Sequence, residues 1–272
     1  MKIIDAHTHI RFSTPWEDPH LMELSRTPEE EIVRQSRAVG IERMVMLGNI
    51  IKFGFNPNPE QVRAINEDTQ DLVNRFPDFV IPYCYLNPKH SKEDIFAEAS
   101  HWVRNHGFVA IKLECDCSAS DPKMSDLMEV AEELEIPVLQ HAWDTRNRDQ
   151  GRRPAGKEET DGNDVAILAS RHPRVRIQMA HLTGVWLHGI EAIRPYENVW
   201  ADTSGSQPFS NVTEFAVDRL GSDRVIYGSD YPIRDISGSL SKVLSGPFSD
   251  EVKEKLCYKN FETMVGKTYI ES

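Results

Sequence analysis

Short apolar runs alternate along the whole chain with longer stretches whose apolar residues recur at helical spacing. Runs at residues 2–6, 42–47, 79–85, 108–113, 137–140, 174–179, 199–201 and 224–227 predict eight strands. Helices are predicted between them at residues 27–39, 59–75, 91–105, 124–135, 162–171, 185–196 and 211–220. Thr27 and Glu30 have capping-box spacing at the first of these, and Ser91 with Asp94 mark the start of the third. The strand runs are rich in Val and Ile and largely apolar, as strands buried on both faces should be. Strands alternating with helices call for parallel pairing through right-handed crossovers. Eight such units close most naturally into an α/β protein of the (β/α)8 TIM-barrel type, with a doubly wound open sheet as the other arrangement. The expected organisation is a single domain over residues 1–272.

Charge narrows the partners. Thirty-one basic residues stand against 43 acidic ones, a formal net charge of −12, which speaks against nucleic acid or an anionic membrane. No window reaches about 18 uninterrupted apolar residues, and charged and histidine positions break up the N-terminus, so neither a membrane span nor a signal peptide is expected. The four cysteines lack metal-binding or redox spacing and are expected as free cytosolic thiols. The expected protein is cytoplasmic, acts on a small molecule, and by base rate forms a homodimer.

The ionisable residues cluster where the apolar runs stop. His7 and His9 end strand one, and residues two apart in a strand share a face. His141 ends strand five, His181 strand six and Asp230 strand eight, while Lys112 lies near the end of strand four. Any one of these is unremarkable. Together they fall on the face where barrel enzymes keep their active sites. Imidazoles with one carboxylate suit zinc, with manganese, iron or cobalt as other choices, in one or two ions. Bound water at such an ion would reach a pKa of about 7, and Asp230 is placed to move its proton.

Long connections at residues 10–26 and 142–161 fall on the same face. The second carries Trp143, Arg146, Arg148, Arg152 and Arg153, which suit recognition of a carboxylate or phosphate, and Arg234 follows Asp230 closely. Trp16, Trp186, His188 and Ser204 are further pocket candidates, whereas Cys115 and Cys117 are expected to be structural.

Five motifs carry a resemblance across essentially the whole chain: residues 5–9 (DAHTH), 107–113 (GFVAIKL), 137–141 (PVLQH), 180–184 (AHLTG) and 227–232 (YGSDYP). In this order they resemble the amidohydrolase superfamily, specifically its second large family of short barrels, and residues 260–266 resemble the helix that closes that barrel. The resemblance implies a divalent metal on His7, His9, His141 and Asp230. It makes His181 either a ligand of a second metal or an electrophile, and it allows a carboxylated Lys112 to bridge two ions. It includes both hydrolases and decarboxylases. Lys112 tilts the expectation toward a hydrolase acting on a small amide, ester or lactone, with non-oxidative decarboxylation of a small aromatic or enoic acid as the alternative.

Overall fold

The computed structural model describes residues 1–10, 27–144, 157–205 and 210–266. Its strands are β1 (Ile4–Asp5), β2 (Arg43–Met46), β3 (Val80–Tyr85), β4 (Ala110–Leu113), β5 (Val138–Gln140), β6 (Ile177–Met179), β7 (Val199–Asp202) and β8 (Val225–Ile226). They pair in sequence order, every neighbour parallel. Beyond the two short end strands, Ala6 N donates to Tyr227 O, Asp230 N to His7 O and His9 N to Tyr231 O, at 3.0, 2.8 and 2.8 Å. Those bonds join the first strand to the last, so the expected barrel is borne out.

The helices between the strands are α1 (Glu29–Ala38), α2 (Pro59–Arg75), α3 (Lys92–His106), α4 (Met124–Glu133), α5 (Gly162–Arg171), α6 (Leu182–Ile193) and α7 (Val212–Leu220). After β8 come α8 (Ile236–Leu244), α9 (Asp250–Glu254), a π-helical turn (Lys255–Lys259) and α10 (Asn260–Val265). None of the described helices is long and apolar enough to cross a membrane.

Local chemistry sets the boundaries. α2 starts on a full capping box, with Asn58 and Gln61 exchanging side-chain and backbone bonds and Pro59 at its first position. α3 starts on Ser91 and ends at Gly107, whose φ of 71° no side chain adopts cheaply. α1 begins at Glu29, two residues after Thr27, and its N-cap position is taken by Pro28, which offers no side-chain cap. α6 begins three residues before the predicted start and carries a break at Trp186, whose φ is 60°. The predicted start falls one residue before that break.

Buried faces hold the barrel together. Val62, Ile65, Asn66, Thr69 and Leu72 form the inner stripe of α2. Asn66 is polar yet fully satisfied there: Tyr85 N donates to its Oδ1 at 2.8 Å, and its Nδ2 donates to Tyr85 O at 3.0 Å. This clamp fixes the C-terminal end of β3 beside the site.

Candidate metal centre

The five expected histidine and aspartate ligands meet at the C-terminal ends of the strands. His7 and His9 sit one pleat apart, with Nε2 atoms 3.3 Å from each other. His9 Nε2 lies 3.3 Å from Asp230 Oδ1, and His181 Nε2 lies 3.6 Å from Asp230 Oδ2. The His181 ring stacks on His7 with centroids 4.9 Å apart and meets the edge of His141 at 4.7 Å. Both Asp230 and His181 hold positive φ, at 63° and 66°. Non-glycine residues take that conformation at a cost, and it recurs where function needs a side chain aimed.

Each anchoring bond also selects a tautomer. His181 Nδ1 lies 3.2 Å from Ala142 O, which can only accept, so this nitrogen carries the proton. His7 Nδ1 faces Asp202 Oδ2 at 3.0 Å, and His141 Nδ1 faces Glu114 Oε1 at 3.2 Å. Strong pulls hold both carboxyls ionised although burial alone pushes them up: mainly His7 for Asp202, and His141 with Lys112 for Glu114. With Nδ1 donating, all three rings turn an Nε2 lone pair inward. The Nε2 atoms of His141 and His181 and Asp230 Oδ1 are buried without a hydrogen-bond partner among the described residues.

Charge follows the same plan. Burial pushes His7 down to about 4, with Asp202 pulling it up and Lys112 and His181 pressing it further down. His141 is driven well below the usual imidazole range, first by burial. Burial raises Asp230, but His181 and His9 outweigh it and leave the carboxyl well below its ordinary value. Neutral imidazoles and an ionised carboxylate are the protonation states a cation requires. Donor atoms of His7, His9 and Asp230 all lie within 4.8 Å of one another. Two inward-facing nitrogens at 3.3 Å repel unless a cation or proton lies between them, so the donor set fits a divalent metal. In one such geometry His141 and His181 would add the remaining imidazoles.

The other expected residues divide. Trp143 packs its ring against the edge of His181 with centroids 5.4 Å apart. Arg234 Nε stands 3.8 Å from Asp230 Oδ2. Lys112 is wholly buried, with Nζ 3.2 Å from Glu114 Oε2. Ser204 turns to Asp202 and to His7 Nδ1, 3.2 Å away, so it braces the centre from behind and does not face the pocket. Burial pushes the Cys115 thiol well up and that of Cys117 to about 12, in keeping with structural roles. Trp16, Arg146, Arg148, Arg152 and Arg153 lie outside the described residues.

Asp202 and Asp5 escaped the sequence reading as working parts of the centre, and so did Glu114 as the support of His141. Asp5 Oδ1 accepts from Ser229 N at 2.9 Å and from His7 N at 3.3 Å, tying β1 to the segment that presents Asp230. Its place two residues before His7 was the available signal. For Asp202 it was an aspartate closing an otherwise apolar strand.

An α/β barrel with imidazoles and a carboxylate converging at its C-terminal face defines a metal-site class of protein. The family model described as Amidohydrolase matches residues 4–266, and the chain belongs to the amidohydrolase family. No curated protein matches the chain in a sequence search. Among solved structures it is similar to 5-carboxyvanillate decarboxylase from Novosphingobium aromaticivorans DSM 12444 complexed with manganese. That likeness has TM-score 0.77 and 16% identity, and covers 97% of this chain and 96% of the other. It is also similar to 2,6-dihydroxybenzoate decarboxylase from Rhizobium, with TM-score 0.75, 16% identity and coverage of 100% and 99%. A third is dihydroxybenzoic acid decarboxylase from Polaromonas sp. JS666 with bound manganese, with TM-score 0.72, 15% identity and coverage of 97% and 96%.

These neighbours correct the expectation of a hydrolase for amides, esters or lactones: the solved structures that this fold follows end to end are mostly decarboxylases. The premise behind the hydrolase reading weakens as well, because Lys112 is paired with a carboxylate of its own chain.

Proposed function

We propose that the chain is a metal-dependent, non-oxidative decarboxylase of a small aromatic or enoic acid. The observation that carries this reading is the convergence of inward Nε2 lone pairs on the Asp230 carboxylate, in a barrel that follows aromatic-acid decarboxylases over its whole length. His7, His9, His141 and Asp230 would hold the cation, with His181 beside it. Three imidazoles and a carboxylate accept zinc and manganese alike, and two of the similar structures carry manganese. When bound, the cation supplies positive charge that fixes the substrate's carboxylate or a neighbouring hydroxyl.

The chain's own groups then manage one proton. The bond from the substrate carbon to its carboxylate breaks, carbon dioxide leaves, and the carbon keeps the electron pair and takes a proton drawn from solvent. His181 Nε2 and Asp230 Oδ2, 3.6 Å apart, can pass that proton between them. His181 stays oriented through its Nδ1 bond to Ala142 O. Trp143, against His181, closes one wall and limits water, while Arg234 near Asp230 offers a positive rim to an acid entering the site.

The test is carbon dioxide release from a panel of hydroxybenzoic and enoic acids by metal-loaded protein, without oxidant or organic cofactor. Release that disappears on chelation and returns with manganese or zinc supports the reading. Absence of release from every acid, in protein of proven metal content, defeats it.

A further inference from the structure

The Lys112 ammonium is enclosed at the end of β4 with an incomplete set of partners. Its side chain is wholly buried, and its ion pair with Glu114 Oε2 is 3.2 Å long. Among the described residues, neither Lys112 Nζ nor Glu114 Oε2 completes a hydrogen bond. An ammonium has three donors and no acceptor, and leaving them unmet in a buried place is costly. Glu114 meanwhile spends its other oxygen on His141 Nδ1, so the carboxylate links the lysine directly to the centre. One carboxylate therefore stands 3.2 Å from both Lys112 Nζ and His141 Nδ1, which sets the lysine one residue away from the converging donors.

Glu114 also decides what Lys112 can become. A carbamate on Nζ would replace a positive charge by a negative one directly against the Glu114 carboxylate. Like charges in a buried setting repel strongly, whereas ammonium and carboxylate attract. The local charge pattern therefore favours the unmodified amine, and with it a cation that still has donors to give.

We propose that Lys112 is the anion anchor of this centre: Glu114 keeps it a free ammonium, and Nζ donates to an anionic oxygen of the bound acid. The kind of acid rests on the decarboxylase reading, but the anchoring itself does not. Lysine serves here as a compact point charge, and Glu114 restrains it so that little side-chain freedom is lost on binding.

Benzoate serves as the probe, titrated calorimetrically into manganese-loaded protein, with metal content per chain measured in parallel. Lys112→Met should weaken benzoate at least about tenfold and leave metal content unchanged, and Lys112→Arg should restore part of the affinity. In parent protein equilibrated with ¹³C-bicarbonate, no carbamate carbonyl resonance should appear, a result that needs no variant to fold. The proposal is overturned by unchanged benzoate affinity in Lys112→Met, by a parent that binds no benzoate, or by a carbamate resonance that Lys112→Met abolishes. None of these readouts needs turnover. Failure of the decarboxylase assay would therefore leave the anchor standing, and loss of the anchor would leave carbon dioxide release to be judged separately.

Discussion

Asp202 Oδ2 lies 3.0 Å from Nδ1 of His7, and Gln178 Nε2 donates to the same oxygen at 2.8 Å. The other oxygen accepts from His181 N at 3.1 Å. One carboxylate at the end of β7 thereby orients a ring just past β1 and fixes the backbone that starts α6. Such partners raise ligand basicity and hold the tautomer.

Asp202→Asn keeps the shape but can turn an amide donor toward His7 and remove the charge. Affinity for a divalent cation should fall roughly 10- to 100-fold, the usual effect of losing this kind of support. Competition against a chromophoric chelator measures it. Affinity equal to the parent's would mean that Asp202 does not orient His7.

How far the sequence carries can be seen at these same residues. His7, His9, His141, His181 and Asp230 were legible because each interrupts an apolar run at a strand's end, and the alternation behind those runs was enough for the barrel. α2 and α5 begin and end where their caps and periodicity put them. Asp202 and Glu114 were not legible as supports, since what they do depends on which ring lies across the barrel from them. That is a tertiary fact with no spacing signature. Lys112 was legible as a position but not as a state, because its charge partner determines what it can be.

That pairing predicts a coupled energy. Glu114→Gln strips the counter-charge from a wholly buried ammonium and an anchor from His141. Breaking a buried pair by removing one partner costs about 3 kcal/mol or more. Lys112→Met in the same chain should recover much of that loss, because no buried charge is left uncompensated. Urea unfolding of both single variants and the double variant gives the coupling, and strictly additive losses would rule the buried pair out.

A second carboxyl supplies a pH signature. Tyr85 Oη donates to Asp116 Oδ1 at 2.7 Å. Burial nevertheless pushes Asp116 up to about 7, with Glu114 adding to the rise and Tyr85 opposing it. The folded chain therefore keeps a proton that the unfolded chain gives up near 4. Stability from this group is fully present below that value and drains away as pH rises through about 7. Asp116→Asn cannot ionise, so its melting temperature should gain on the parent's between pH 5 and pH 8, by several degrees at the upper end. Parallel melting curves at the two pH values, with a constant difference between the proteins, would show that Asp116 is ionised throughout.

Gly184 makes the Trp143 wall possible. A Cβ there would lie 2.6 Å from Cε3 of Trp143 and 2.9 Å from Cβ of His181, closer than real side chains approach. Gly184→Ala must then displace the indole from the edge of His181, and overpacking of this kind costs about 1–3 kcal/mol. Because Trp143 N donates to Thr160 O at 2.8 Å, the backbone is held and the ring has to swing. If that ring lines the acid's pocket, KM should rise several-fold while metal content stays that of the parent. Steady-state kinetics beside a thermal melt separates the two effects: a lower melting temperature with unchanged KM would make Trp143 a packing residue and remove it from the substrate wall.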